Sequence, residues 1–393
     1  MALQYNGTLL ALSMLLLMSM KSSCSSKVGT VNGDIGTPIE EVGVIDTNSS
    51  PSDDQALFYS YDAYAGRLNL LDGSSQTLRF SETWQVQGDG LDQAWIAGPE
   101  GRFFFGVKDD QLYIYRSGEA GELVNDFAGK LNSYASDPEQ GFYVFVDSFL
   151  SILVLKVSED GNIAGSWLGG SILDGESSIK AGDILTGGVF LIATTDGTLL
   201  SIDMEQSIAQ QTWVTQEHSP AIGNPTWIAD TGYQGAHALI LDSDNVLYLF
   251  DAIDGTIVQQ EEVKSVLTRS KSGDDHLIVR RDDNNAYLIH GSDGTAWQEY
   301  LLPSLSVTLK ETKVGDGYLM AVATGSVSQF YKLRLSDGLV ERRVEIKSYD
   351  KVGFTTDHII LFQDSPLGYI QMIDFDSSEE VIFSGFNLDS LQD

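Results

Sequence analysis

The chain has 393 residues and one cysteine, and 56 Asp and Glu against 23 Lys and Arg give it a formal net charge of −33. A surface of that sign repels phosphate backbones and anionic leaflets, so nucleic acid is excluded as a partner, and a lone cysteine permits no internal disulfide. The length suffices for a large core, and the repeat described below makes one domain the expectation rather than the two or three that length alone suggests.

Leu9 to Met20 forms an apolar run of about a dozen residues, too short to span a bilayer but suited to the h-region of a secretory signal. It leads into Lys21-Ser22-Ser23-Cys24. Small residues before a unique cysteine resemble a bacterial lipoprotein signal, which implies lipidation at Cys24 and a membrane anchor. An ordinary signal peptide with an incidental cysteine is the other reading, and both predict export. Residues 25–54 shift to Ser, Gly, Thr, Asn and acid, a composition that offsets little ordering entropy and predicts a flexible tether after the 1–24 signal.

From residue 55 to 393 a doublet of tight turns recurs eight times, the second turn of each doublet falling 39 to 49 residues after the last. The clearest copy is AHALILDSDNVLYLFDAIDGTIVQQ, where Leu239 and Leu241, then Val246, Tyr248 and Phe250, alternate around Asp244-Asn245 before Asp254-Gly255 turns the chain again. Asp109-Asp110, Asp196-Gly197, Asn284-Asn285, Asp293-Gly294 and Asp337-Gly338 punctuate other copies. These residue types tolerate positive φ or bond to their own backbone, so each unit reads as linked antiparallel hairpins. Segments ahead of each doublet supply a fourth strand, at 94–97, 130–135, 179–184, 226–230, 265–270, 308–312 and 347–353. The expected fold is all-β, an eight-bladed β-propeller of four-stranded antiparallel blades; one or two β-sandwiches are the alternative. No helix is expected after the signal.

Motifs for chemistry are sparse. His237, His276 and His358 share one place in the repeat, the start of the strand before the first turn, and no histidine pair has metal-ligand spacing. Asp242 to Asn245 and Asp282 to Asn285 place oxygen ligands on turns without the Gly and distal Glu of an EF-hand loop, which favours turn chemistry over calcium. No nucleophile elbow, phosphate loop or dinucleotide fingerprint occurs, so no cofactor, metal or catalytic residue is expected. Accidental carboxylate pairs leave a glycoside-cleaving site open.

The stretch Leu249 to Gly255 resembles the repeat of the quinoprotein-like (PQQ-type) propellers, Ala-x-Asp-x-x-Thr-Gly-x-x-x-Trp. Its Asp matches Asp203, Asp251 and Asp374, its Gly matches Gly255, Gly294 and Gly338, and Trp167 and Trp213 lie close to its Trp position. With the lipoprotein-like signal and the eight repeats, the chain is similar to the BamB family of outer-membrane assembly lipoproteins. That resemblance implies a non-enzymatic scaffold in the cell envelope, at the periplasmic or surface face of a bacterial outer membrane, binding a component of the outer-membrane barrel assembly machinery. A secreted carbohydrate-active or ligand-binding propeller and a quinone-dependent dehydrogenase are the competing readings. For a binding rim, the longest visible connection, Gln216 to Gly235, offers His218, Trp227 and Tyr233 as partner contacts. For Trp227 the preferred reading is packing between blades from the inner strand, which leaves Tyr233 and His218 as the surface candidates.

Overall fold

The computed structural model describes residues 103–346 apart from breaks at 117–119, 138–139, 171, 173–177, 220–221, 271–274, 283–284, 303–307, 316 and 325–326, and beyond these little more than the strands at 29–30, 39–46, 56–62, 67–72, 79–85, 93–97, 351–354, 358–363, 369–374 and 380–384. The apolar run 9–20 and Cys24 lie outside the described residues.

Six antiparallel four-stranded sheets follow one another: A (93–126), B (131–169), C (179–218), D (225–262), E (265–302) and F (308–345). A further four-stranded sheet covers 351–384, and a five-stranded one 29–85. Strands pair in chain order within every sheet. First strands lie side by side: Leu131–Asp137 touches Ile179–Leu185, which touches Pro225–Asp230, and Ser265–Ser270 touches Thr308–Gly315. Ile39–Asp46 also touches Lys351–Phe354, joining the first sheet to the last. First strands gathered at an axis, with later strands fanning outward, are the blades of a β-propeller.

The physical cause is that each sheet is apolar on both faces. In the second strand of D, Leu239 and Leu241 point into a cluster with Leu277, Val279 and Ile289 of E, while Ala238 and Ile240 point into one with Leu191, Ala193 and Leu199 of C. Strand alternation puts neighbours on opposite faces, so only a sheet on either side can bury both. The same division recurs between A and B around Phe105, Tyr143 and Phe145, between B and C around Val144, Phe190 and Ile192, and between E and F around Ile278, Leu288 and Tyr331. Each such side chain removed from water contributes roughly 1.5–3 kcal/mol.

Inner strands start with a bulge that leaves Asn132, Lys180, Thr226 and Lys310 unpaired at one place in sheets B, C, D and F. An extra residue there increases local twist, which an inner strand needs to turn away from the axis. Turns between second and third strands share one design in B, C and D. Thr194 O accepts from Gly197 N at 3.1 Å, and the equivalent Asp147 O accepts from Leu150 N at 3.1 Å. Gly197, Asn245 and Leu150, at φ 88°, 62° and 62°, occupy its left-handed position. Asp242 Oδ1 accepts from Asp244 N at 2.9 Å and Val246 N at 2.8 Å, and Asp282 Oδ1 accepts from Asn285 N at 2.7 Å. Both acidic turns expected from sequence therefore bond their own backbone.

Three differences from the sequence reading stand out. A seven-residue helix, Met204–Gln210, replaces the third-to-fourth turn of C. Asp203 caps it, accepting from Gln206 N at 2.9 Å, while Gln206 Nε2 returns a bond to Asp203 Oδ2 at 2.7 Å. This is a capping box, and Met204 and Ile208, four apart, pack on sheet B; the D-x-x-Q spacing was its sequence signal. Secondly, the segment read as a tether contributes Gly29–Thr30 and Ile39–Asp46 to the first sheet, because Ile39, Val42, Val44 and Ile45 form a local apolar run inside the polar stretch. Thirdly, the recurring turns predict Gly197, Gly255, Gly294 and Gly338 at equivalent places in successive blades, yet Gly197 lies between second and third strands whereas the other three lie between third and fourth.

Gly255 combines φ 70° with close approach: a Cβ there would stand 2.5 Å from His218 Nδ1 of sheet C. At Gly197, φ 88° applies but the nearest atom is 4.0 Å away. We expect Gly197→Ala to lose about 1 kcal/mol from backbone strain alone, and Gly255→Ala to lose at least about 1 kcal/mol more because a ring must move. Urea denaturation of the two variants checks this; equal losses would show that the His218 contact is unimportant.

Candidate interaction rim

Loops from first to second and from third to fourth strands share one rim and are bonded to each other: Met204 N donates to Gly188 O at 3.1 Å, Ala252 N to Ala236 O at 3.0 Å and Leu335 N to Gly317 O at 2.9 Å. Across this rim, side chains tie each sheet to the next. Gln140 Oε1 of B accepts from Gly187 N of C at 3.2 Å. Asp230, ending the inner strand of D, accepts from Thr186 N at 3.0 Å and Thr186 Oγ1 at 2.7 Å. Asp183 Oδ2 accepts from Asp230 N at 3.2 Å, and its Oδ1 from Ile184 N at 3.0 Å. Burial pushes the Asp230 carboxyl above the ordinary carboxylate range, the Thr186 bonds oppose this, and the nearby Asp183 charge adds to it. Between E and F, His276 Nε2 meets Thr312 Oγ1 at 2.8 Å, and Ser270 Oγ donates to Thr312 O at 2.9 Å.

The segment 216–235 is not one long connection. It comprises the end of Thr215–His218, the crossing 219–224, the inner strand Pro225–Asp230 and the loop 231–236. The two connections leave opposite ends of that inner strand, so the three residues expected to form one contact surface are separated.

Trp227 is 3% exposed and packs in the D–E cluster with Leu277, Val279, Ile289 and Trp297. It is a residue between blades, not a surface anchor, because the bulge at Thr226 sets its ring on the interior face. His218 is 4% exposed, which corrects its expected surface role. Its ring stands edge-on to Phe250 at 5.4 Å, and its Nε2 lies 2.7 Å from Ser201 Oγ. Ser201 Oγ also donates to Ala252 O of D at 3.0 Å, and the imidazole bonds the same carbonyl. Both residues lie in C and reach D through Ala252 and Phe250, so they tie C to D.

Tyr233 alone of the three keeps an accessible ring, half-buried in loop 231–236. A Cβ on Gly294 of E would stand 2.5 Å from its Cζ, so the ring covers that turn, and it meets His237 edge-on at 4.9 Å. Thr231 Oγ1 donates to His237 O at 3.0 Å and closes the loop. His237 Nε2 stands 3.8 Å from Asp251 Oδ2, and its Nδ1 is buried without a bonding partner among the described residues. Asp251 Oδ1 accepts from Ile253 N at 2.8 Å and Asp254 N at 3.0 Å. Asp203, Asp251 and Asp374 all end third strands, as their motif match implies, and the two with described bonds cap the following turn or helix. His237, His276 and His358 begin second strands, also as expected. Among the described residues no three His, Cys, Asp or Glu side chains could hold a metal ion.

No protein-family model and no curated protein matches the sequence. Among solved structures the chain is similar to the dihydro-heme d1 dehydrogenase NirN, at 12% identity and TM-score 0.57, over 86% of this chain and 74% of that one. It is similar to dipeptidyl peptidase 4 of Porphyromonas gingivalis at 11% identity and TM-score 0.58, over 86% of this chain and 58% of that one. The Cps50 (Swd1) β-propeller domain of Myceliophteria thermophila matches at 12% identity and TM-score 0.43, over 73% of this chain and 95% of that one. Identities this low concern the fold alone.

Burial lowers the His218 pKa from its ordinary value, with the Ala252 bond and the Asp251 charge opposing the shift. The unfolded chain then binds a proton near pH 6.5 that the folded chain refuses. The contribution of His218 is complete above that pH and declines as pH falls toward the folded value. His218→Gln should therefore flatten the loss of stability between pH 7 and pH 5, and His218→Ala should cost about 1–3 kcal/mol at pH 7. Parallel denaturation curves for wild type and His218→Gln at both pH values would refute a buried neutral imidazole.

Proposed function

We propose that this protein is a non-enzymatic interaction scaffold, a propeller held at the cell envelope by a lipid on Cys24, whose partner is a component of outer-membrane barrel assembly. The observation that carries the scaffold reading is the use of rim polar groups: Asp183, Thr186, Asp230 and Ser201 are each engaged in bonds between sheets, which produces a stiff frame for short loops. Loops on a rigid repeat frame are the usual means by which such folds bind proteins. The lipid anchor is supported by the apolar run and the unique cysteine after it, and the partner class by the family resemblance of signal and repeat. Stable anchoring needs more than one acyl chain, as a bacterial lipoprotein carries.

One observation favours a second reading, a carbohydrate-active propeller: Asp183 and Asp230 are neighbouring carboxyls on adjacent inner strands, and burial keeps Asp230 protonated to higher pH than an ordinary Asp. Against it, both Asp230 oxygens already accept from Thr186.

Wild-type protein should partition with membranes and begin at Cys24, and Cys24→Ser should move it to the soluble fraction while it still co-purifies with the barrel assembly protein after solubilisation. Tyr233→Ala should weaken that complex by about 1 kcal/mol or more, beside a loss of about 1 kcal/mol of stability for the ring contacts with Gly294 and His237. A soluble wild-type protein starting elsewhere than residue 24 would remove the anchor. Glycoside turnover abolished by Asp230→Asn would replace the scaffold with an enzyme.

A further inference from the structure

Only 23 of the 393 residues are Lys or Arg, and the other rim gathers lysines where the inner strands begin. That rim carries the turns from second to third strands and the connections between sheets, bonded as Ser148 N to Lys130 O at 2.8 Å, Thr195 N to Ser178 O at 2.9 Å and Ser243 N to Asn224 O at 2.9 Å. Lys180 and Lys310 are the unpaired bulge residues of the inner strands of C and F, and they share one register position: Ile179 and Leu309 pair before them with Thr194 and Ala323, Ala181 and Glu311 after them with Ala193 and Val322. Lys130 and Lys264 stand one residue ahead of the inner strands of B and E, and Lys351 opens that of the sheet after F. From B onward only the inner strand of D has no lysine near its start, and there Lys180 Nζ donates to Asn224 Oδ1. Lys130, Lys180, Lys264 and Lys310 are all exposed. With 56 Asp and Glu in the chain, carboxylate partners are abundant, yet the ammonium groups of Lys130 and Lys310 have no ion-pair or hydrogen-bond partner among the described residues, and Lys180 meets a neutral amide.

The acids of this rim are differently disposed. Asp147 and Asp242 are buried and accept from their own turns. Asp109, Asp110, Asp196, Asp244 and Asp282 are exposed on turns from second to third strands, a strand or more away from the axis, where Lys108 and Arg281 also lie. Glu262 ends the outer strand of D, and Asp174, Glu176 and Asp350 belong to connections. Glu311, beside Lys310, is half-buried and turned to the next connection, where burial and then the Glu311 charge push the Tyr349 phenol up to about 12. Lysines drawn to one axis repel one another, and an anion that touches several at once relieves this. We propose that the axial mouth of this rim binds a small multivalent anion, an oligophosphate or a tricarboxylate, held by Lys180 and Lys310 with Lys130 and Lys264 beside them. The acidic tips set the size: an extended polyanion would run over them, whereas a small one stays near the axis, screened from them beyond a Debye length of about 8–10 Å. The site goes beyond the scaffold reading and does not depend on it, since it needs no protein partner.

The test is titration calorimetry of the full chain with tripolyphosphate and, separately, with citrate, in about 50 mM salt, where the Debye length exceeds about 10 Å. The wild type should bind at least one of the two, and Lys180→Gln/Lys310→Gln should weaken that binding at least tenfold. Both side chains are exposed, so the melting temperature should stay within about 2 °C of wild type. Lys108→Gln/Arg343→Gln removes the same two charges from a turn of A and the outer strand of F, and should change the affinity less than threefold. Whichever anion binds more tightly identifies phosphate or carboxylate as the chemistry recognised. Absence of binding by both anions at millimolar concentration, or equal affinities of wild type and the Lys180/Lys310 variant, would overturn the site. Equal losses in the two double variants would overturn it as well, because the attraction would then follow net charge and not position. So would an oligoglutamate peptide binding more tightly than either small anion, which would make the mouth a docking face for an acidic protein.

Discussion

Everything in this molecule depends on the burial of two-faced sheets against one another. A four-stranded sheet whose second strand reads Ala238-Leu239-Ile240-Leu241 cannot dissolve either face, and it cannot fold back on itself in so short a span. Stacking on a neighbour solves one face and creates the same need in the neighbour, so the arrangement propagates until it closes. Contact of Ile39–Asp46 with Lys351–Phe354 brings the first sheet against the last and gives the propagation its end.

That constraint also explains what happens to polar groups. Inner strands packed close to an axis leave carboxylates and hydroxyls of one sheet beside the backbone of the next, and Thr186, Asp183 and Asp230 answer each other across that seam. Farther out Ser201 Oγ of C donates to Ala252 O of D, and Arg281 of E bonds Glu261 of D and Glu299 of E while lying over Tyr287. These polar groups tie neighbouring sheets together. The acidic excess, by contrast, gathers on turn tips, where Asp and Asn satisfy their own backbone and face water.

Departures from repetition then become informative. Helix Met204–Gln210 lengthens one turn of C, and Trp213 beyond it lies over Gly169 and edge-on to Trp167 of B. The Phe149-Leu150 tip is the opposite case, a turn of ordinary length that exposes Phe149 while Leu150 packs on the B–C cluster.

Periodicity and turn chemistry were enough to determine the class of fold, the four strands of each unit and most of their positions, since alternation and Asp/Gly/Asn turns are local properties that survive any tertiary setting. Strands at 179–185, 265–270 and 308–315 begin where the apolar pattern places them. Ile39–Asp46 was hidden by the polar residues around it, and the helix by its brevity. What only the tertiary structure decided is which polar and aromatic residues are accessible. His218, Trp227 and Tyr233 lie within sixteen residues of one another and look alike as rim candidates, yet two are buried on different sheet faces and one covers a turn. Burial depends on the neighbouring sheet, and that sheet is contributed by residues some 40 positions away in the chain.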